Sequence, residues 1–392
     1  MTTSPSLNGL TILQIVPELA TGGAERTTIE VAQAIVKAGG RALVWSAGGR
    51  LLHELEAVGA THFIGPAASK NPIEVFVTNP SRLVDLIKRE KVDLIHARSR
   101  APAWSALIAA GRTQRLFVTT YHGIYQAKSK LKRWYNSVMV RGDAIIANSN
   151  YTKTHIIEQH GTEARNITVI YRGVDVDAFH PSAVSSERSY KLAQTWQLAT
   201  ARQRVRIILP ARLTEWKGQR VFIAALAIIK AQGVDFEAIC VGDAQGRDVY
   251  VQALRNQILE AKLTDQVFLV GHCDDMPAAF SISDIAVTPS TEPEAFGRTA
   301  AEAQAMELPI VASDLGGARE TVDPGVTGFL SSPGDAHELA AHLIHLIRMP
   351  KVQREAMGAA GFNRIRALFT TQSLQSQTLA LYQRVMAARH GE

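Results

Sequence analysis

Two glutamates, Glu294 and Glu302, flank Phe296-Gly-Arg298 in the segment Pro289-Ser-Thr-Glu-Pro-Glu-Ala-Phe-Gly-Arg-Thr-Ala-Ala-Glu302. The Phe-Gly-Arg turn reads as the start of a helix, whose first N–H groups lack partners and offer about half a positive charge to an anion. Carboxylates accept pairs of hydroxyl hydrogens, so the segment suits a sugar attached to a phosphate. Read alone, it is more simply an ordinary solvated helix start with Glu302 on its surface. Arg212-Leu-Thr-Glu-Trp-Lys217, ahead of Gly218, adds two cations five residues apart. At a strand end before a helix, such a pair can converge on one diphosphate, each charge-assisted hydrogen bond worth roughly 1.5–3 kcal/mol net. The plainer alternative is two surface cations.

Glycines and histidines supply further candidates. In Ala20-Thr-Gly-Gly-Ala-Glu25 the pair Gly22 and Gly23 opens a helix expected over residues 26–38. Paired glycines let a backbone approach a ligand closely and present N–H groups to a phosphate; a tight strand-to-helix turn is the other reading. The Gly-x-Gly-x-x-Gly of a dinucleotide fold is absent here. Gly242-Asp243 and Gly271-His272 end two more strands, turns able to reach a nucleotide or serving as simple loops. His122 closes a strand in Thr119-Thr-Tyr-His-Gly123, beside a glycine, which favours a functional over a structural histidine.

Elements must bring these residues together. Short β-branched or apolar runs alternate with longer helical patterns, which predicts an α/β chain of parallel sheets with helices on both faces. Strands are expected over residues 11–16, 42–46, 62–64, 94–96, 117–121, 144–147 and 168–170, then over 206–210, 237–241, 267–270, 285–288, 310–312 and 328–330. Two doubly wound domains follow, 1–180 and 181–370. The junction falls where His180-Pro-Ser-Ala-Val-Ser-Ser186 breaks the pattern. The remaining stretch, 371–392, is helical over 371–389 with no strand after it. Open α/β sheets bind ligands beyond the carboxyl ends of their strands, so two such domains face to face are expected to form a cleft lined by the loops above. Arg98 and Arg100, after the strand ending at His96, are expected to face that cleft and meet an anionic acceptor such as a phosphorylated or acidic glycolipid.

Composition sets limits. A chain of 392 residues exceeds one ordinary core and suits two domains of about 180. The longest apolar run, residues 221–229, is far short of the roughly 20 needed to span a membrane. Residues 1–10 lack a basic region followed by a long apolar stretch, so no secretory signal is expected and the cytoplasm is the expected compartment. Cys240 and Cys273 show neither metal-ligand spacing nor a disulfide framework, in keeping with a reducing compartment. The net charge of +6 is uneven: residues 1–180 hold 21 lysines and arginines against 14 acids, and residues 181–392 hold 21 against 22. A basic first half suits an anionic partner such as membrane lipid, lipopolysaccharide or nucleic acid. Within it, Lys128, Lys130, Lys132 and Arg133 precede Trp134, Tyr135, Val138 and Met139. That mixture suits an anionic membrane surface, or equally a segment whose apolar residues pack on the sheet with its lysines in water.

As a set, the Gly22-Gly23 loop, Thr119-Thr-Tyr-His-Gly123, Val169-Ile-Tyr-Arg-Gly-Val-Asp175, the Arg212 and Lys217 pair, the Glu294 and Glu302 pair, Asp314-Leu-Gly-Gly317 and Gly325-Val-Thr-Gly328 resemble glycosyltransferase family 4 (glycosyl transferases group 1), of the retaining GT-B class. The resemblance covers nearly the whole chain. It implies two Rossmann-like domains with an interdomain cleft, the first holding the acceptor and the second the sugar nucleotide, and a last helix crossing back to the first domain. Residue by residue, it implies that Glu302 accepts from the ribose hydroxyls, Glu294 contacts hydroxyls of the transferred sugar, and Arg212 and Lys217 hold the diphosphate. Backbone groups of Phe296, Gly297 and Arg298 would line sugar and phosphates, with Gly22 and Gly23 closing over them and His122 beside the reacting sugar. It further implies front-face attack, in which an oxygen of the leaving phosphate takes the acceptor's proton and neither glutamate is a nucleophile. Catalysis would rest on charge stabilisation and positioning, without metal or cofactor.

The expected activity is thus retaining transfer from a nucleoside diphosphate sugar, of UDP or GDP type, to a glycan or glycolipid in cell-envelope polysaccharide or lipopolysaccharide synthesis, by an enzyme resembling bacterial lipopolysaccharide and capsule glycosyltransferases. Nucleic acid is not an expected partner; peripheral attachment to the inner face of the cytoplasmic membrane is. Two rivals stand beside this reading: a sugar-nucleotide epimerase of the same architecture, and a non-catalytic regulator that binds sugar nucleotides. Intact Arg212, Lys217, Glu294 and Glu302 argue against the regulator.

Overall fold

The computed structural model describes residues 6–20, 22–125, 127, 129–199 and 204–390, so Lys128 lies outside the described residues. The chain forms two compact units, Met1–Gly173 with Thr371–Glu392, and Val174–Thr370. The first unit carries a seven-stranded parallel sheet: β1 (Thr11–Ile15), β2 (Arg41–Ser46), β3 (Thr61–Ile64), β4 (Leu94–Ala97), β5 (Leu116–Tyr121), β6 (Ala144–Ala147) and β7 (Ile167–Val169), ordered β3-β2-β1-β4-β5-β6-β7. Along β1, Ile12 and Val16 face a core shared with helices Gly23–Lys37 and Thr371–His390, while Leu13 and Ile15 face a second core with helices Asn79–Arg89 and Arg100–Thr113. Burial on both faces is why these strands read as near-continuous apolar runs.

The second unit holds six parallel strands: β8 (Arg206–Pro210), β9 (Glu237–Val241), β10 (Val267–Gly271), β11 (Ile285–Thr288), β12 (Ile310–Ser313) and β13 (Gly328–Ser331), ordered β10-β9-β8-β11-β12-β13. Ile207 and Leu209 pack with helices Gln219–Ala231 and Ala336–Arg348, and Ile208 packs on the opposite face with Phe280 and Met306. Both sheets are doubly wound, and every expected strand is present within one residue at each end. The first helix starts at Gly23, earlier than residue 26, because Gly22 itself is the N-cap.

The unit boundary lies at Gly173/Val174 rather than after residue 180. Val174 N donates to Phe369 O (2.8 Å), and Phe179 and His180 pack beside Phe280 and Phe362, so residues 174–180 already belong to the second unit. Helix Thr371–His390 belongs to the first. Its Gln375 side chain donates to Glu30 O (2.7 Å), and Leu374, Leu379, Leu381, Tyr382 and Met386 enter the core against Gly23–Lys37. Among the described residues no helix is long and apolar enough to cross a membrane.

Candidate functional site

In the second sheet the strand order reverses between β8 and β11, and the loops after these two strands carry the cations and the first glutamate. The loop after β8 ends in a short turn, Glu215–Lys217, and Gly218 caps the following helix with φ +77°. A Cβ on Gly218 would overlap the carbonyl oxygen of Pro289, so only glycine lets the β8 and β11 loops touch. Thr291 N then donates to Trp216 O (2.8 Å). This contact sets Lys217 Nζ 2.8 Å from Glu294 Oε1, with the two side chains 14% and 17% exposed. Ser290 Oγ donates to the same carboxylate oxygen (2.6 Å), and Lys217 Nζ lies 4.3 Å from the Trp216 ring centroid. Arg212 is exposed, and its guanidinium has no hydrogen-bond or ion-pair partner among the described residues.

The second glutamate is held separately. Gly297 (φ +84°) caps helix Arg298–Ala305, and Arg298 Nε donates to Glu302 Oε1 at 2.9 Å, one turn on, both side chains mostly buried. Phe296 is 1% exposed and packs edge-on against Phe369, so only its backbone is available to a ligand. The loop after β12 supports this stretch: Gly317 N donates to Glu294 O (2.8 Å). Gly242 N donates to Gly271 O (2.7 Å), and Leu213 N donates to Asp243 O (3.0 Å), which joins the β9 turn to the Arg212 loop. His272 is exposed and pairs with Asp274 (2.9 Å); the described hydrogen bonds do not tie it to the Lys217 and Glu294 pair.

In the first unit the Arg172 side chain lies against Gly23, where a Cβ would overlap its guanidinium. Arg172 Nη2 donates to His122 Nδ1 (3.1 Å) and to His122 O (3.2 Å). A guanidinium cannot accept, so Nδ1 is the acceptor and the ring proton sits on Nε2. That Nε2 is buried with no hydrogen-bond partner among the described residues. Burial first, then the positive charge of Arg172 and Arg98, holds His122 well below the usual histidine value. His122 is therefore a neutral imidazole with an N–H to donate. Arg172 was legible only as a letter of the Val169–Asp175 motif, because its contact with His122 depends on how the strands assemble.

Arg98 does not face outward. It is 2% exposed, its Nε and Nη2 donate to Gln14 Oε1 (2.8 and 2.5 Å), and desolvation lowers its pKa. The cause is backbone register: Arg98 N still donates to Ile15 O (3.0 Å), so the chain is running beside β1 and the side chain falls among Gln14 and His96. Arg100 is half-buried, 4.1 Å from the Tyr125 ring centroid, and donates to Asn136 Oδ1 (2.8 Å). In the basic aromatic segment, Lys130, Lys132 and Arg133 are exposed, Leu131 and Trp134 are 74% and 46% exposed, and Trp134 stacks on Trp104 at 4.6 Å. Val138 and Met139 are instead fully buried against the sheet.

Comparison with known proteins bears on the fold and the family. The family model described as Glycosyltransferase Family 4 matches residues 21–178, and that described as Glycosyl transferases group 1 matches residues 192–364. The crystal structure of a glycosyltransferase from Rickettsia africae ESF-5 is 34% identical, with 97% of this chain and 99% of that chain covered and a TM-score of 0.88. Anabaena HepE in complex with UDP and glucose is 28% identical over 95% of this chain and 99% of its own, with a TM-score of 0.83. The capsular polysaccharide biosynthesis glycosyltransferase CapM of Staphylococcus aureus is 23% identical over 322 residues, 79% of this chain and 82% of its own length. With both domain models matched in order and a whole-length relative at this identity, the chain belongs to the family 4, group 1 glycosyltransferases and has the GT-B fold.

Proposed function

We propose that this enzyme transfers a sugar from a nucleoside diphosphate donor to a glycan or glycolipid acceptor, with retention of anomeric configuration and without a metal ion, in cell-envelope polysaccharide or lipopolysaccharide synthesis. The observation that carries the reading is the Lys217 and Glu294 pair, with Arg212 on the same loop and without a side-chain partner among the described residues, where the second sheet reverses its strand order. Breaking the bond between anomeric carbon and phosphate leaves positive charge on the sugar and negative charge on the departing diphosphate. Fixed cations stabilise that separation more than the ground state. Arg212 and Lys217 are assigned to the diphosphate, Glu294 to hydroxyls of the transferred sugar and Glu302 to the ribose. A carboxylate whose Oε1 already accepts from an ammonium and a hydroxyl orients substrate rather than attacks it, which supports front-face substitution over a covalent intermediate. The backbone of Phe296, Gly297 and Arg298 is assigned to the sugar and phosphates, and the Gly242 turn and His272 to the nucleotide. Gly22 and Gly23 are assigned to closing over the donor and His122 to the transferred sugar, with its Nε2–H acting as a donor and not as a base. The UDP complex of Anabaena HepE favours uridine over guanosine, and the capsular role of CapM favours an envelope glycan.

Attachment to an anionic membrane surface belongs to the same proposal, through Lys130, Lys132, Arg133 and Trp134. To test the activity, the purified chain is incubated with UDP- and GDP-sugars in EDTA, with and without a bacterial lipid extract, following nucleoside diphosphate release and the anomeric configuration of the product. Acceptor-dependent release with a retained linkage is expected. Release without transfer would point to an epimerase or hydrolase, inversion would remove the retaining reading, and loss of activity in EDTA would remove metal independence.

A further inference from the structure

At the amino ends of β5, β6 and β7, opposite the strand ends that lead to His122 and Arg172, the first unit carries a solvent-open cavity of about 720 Å³. Five exposed arginines line it, Arg115, Arg141, Arg165, Arg384 and Arg389, against a single carboxylate, Asp143. They come from separate elements: the end of the β4 to β5 connection, the segments ahead of β6 and β7, and the last turns of helix Thr371–His390. Arg115 has no side-chain partner among the described residues. Arg141 donates to Ser137 Oγ (3.3 Å), Arg384 to Thr168 Oγ1 (3.1 Å) and Arg389 to the Gln114 carbonyl. Only Arg165 pairs with a carboxylate, that of Glu163, and both are solvated. Asp143 accepts from Phe117 N (2.7 Å) and neutralises none of the five by a direct ion pair. Leu107, Leu381 and Val385 give the cavity an apolar wall.

Five guanidinium groups around one cavity repel one another, and interleaved carboxylates are the usual surface remedy. Here Arg141, Arg384 and Arg389 rest on neutral acceptors, with N–H groups to spare, and only Arg165 meets a carboxylate. Guanidinium forks match phosphate oxygens in pairs, and the volume lies within the range of small-molecule sites. We propose that this cavity binds a phosphate-bearing anion, as a free polyphosphate-type ligand or as the head group of an anionic phospholipid. The cavity shares no residue with the proposed donor site and does not depend on the proposed reaction. Its ligand bridges the C-terminal helix to the ends of β5, β6 and β7.

The test uses the full chain, the double variant Arg115→Gln/Arg389→Gln, and Lys217→Ala to account for binding at the donor site. Calorimetry with tripolyphosphate at low salt is run beside flotation with vesicles of phosphatidylcholine, with and without phosphatidylglycerol. In the double variant, tripolyphosphate association is expected to weaken at least tenfold, with glycosyl transfer and the melting temperature of the free protein unchanged; Lys217→Ala is expected to retain it. If only vesicle binding weakens in the double variant, the site is assigned to the lipid head group. The proposal is overturned if the double variant binds both probes as tightly as the parent, or if the parent binds neither.

Discussion

Lys217 meets Glu294 at 2.8 Å with little solvent around either group. An ammonium held this way is aimed before charge develops on a leaving group, which is the condition under which fixed charge lowers a barrier. A tenfold change in rate corresponds to about 1.4 kcal/mol of barrier. Lys217→Ala is expected to lower kcat at least tenfold with an unchanged circular dichroism spectrum, and Lys217→Arg to recover part of the loss by restoring the charge. A kcat near that of the parent in Lys217→Ala would remove the lysine from the mechanism. The spacing of Arg212 and Lys217 and the two glutamates around Phe-Gly-Arg were legible because each pair lies within one strand-end loop and the first turns of the helix after it. The Lys217 and Glu294 pairing was not, since it exists only because β11 lies beside β8. Arg98 was misread for the same reason in reverse: its acceptor, Gln14, comes from β1, so local sequence showed a charge without a partner.

Helix Thr371–His390 is fixed to the first sheet by more than apolar area. His96 in β4 is fully buried, hydrogen-bonded through Nδ1 to the Tyr382 hydroxyl (2.6 Å) and through Nε2 to the Thr120 hydroxyl (2.7 Å). Burial, and then Arg98, hold His96 well below the usual value of 6.5. Between that lowered value and 6.5 the unfolded chain binds the proton and the folded one does not. Stability is therefore full above pH 6.5 and falls as the pH drops, at up to about 1.4 kcal/mol per unit for such a group. His62, His122, His155 and His160 are lowered too, all primarily by burial and all in the first unit. Urea midpoints of the full chain are expected to fall from pH 7.5 to pH 5.5, with the first unit melting first. Tyr382→Phe, which leaves His96 Nδ1 buried without its hydroxyl, is expected to cost about 1–3 kcal/mol at pH 7.5. A midpoint independent of pH would show that the buried histidines are not coupled to folding. The strands themselves were readable because burial on both faces leaves few polar residues to blur the pattern. The short π-helical turn Glu74–Thr78 was not, as its residues follow neither the helical nor the strand period.

Over the whole molecule, the excess positive charge of residues 1–180 was countable from sequence, but not its division between an arginine-lined cavity and an aromatic ridge, which meet where Arg141 lies 5.2 Å from the Trp104 ring centroid. The ridge joins two segments: Ile73 and Val77, 67% and 58% exposed, and Leu131 and Trp134, with Phe76, Trp104 and Trp134 stacked between them. Large apolar side chains standing in water beside Lys130, Lys132 and Arg133 fit the boundary of an anionic bilayer, where rings sit among head groups and lysines meet phosphates. Each contribution has its own signature. The electrostatic part is screened over about 10 Å at 0.1 M salt, while the apolar part is not. Binding to vesicles containing phosphatidylglycerol is therefore expected to exceed binding to neutral vesicles at low salt and to weaken as salt rises. Leu131→Glu/Trp134→Ala should reduce it severalfold at every salt concentration, and Lys130→Gln/Lys132→Gln/Arg133→Gln should mainly flatten the salt dependence. Equal binding to neutral and anionic vesicles at low ionic strength would sink the membrane reading. A loss confined to Arg115→Gln/Arg389→Gln would move the lipid contact from the ridge to the cavity.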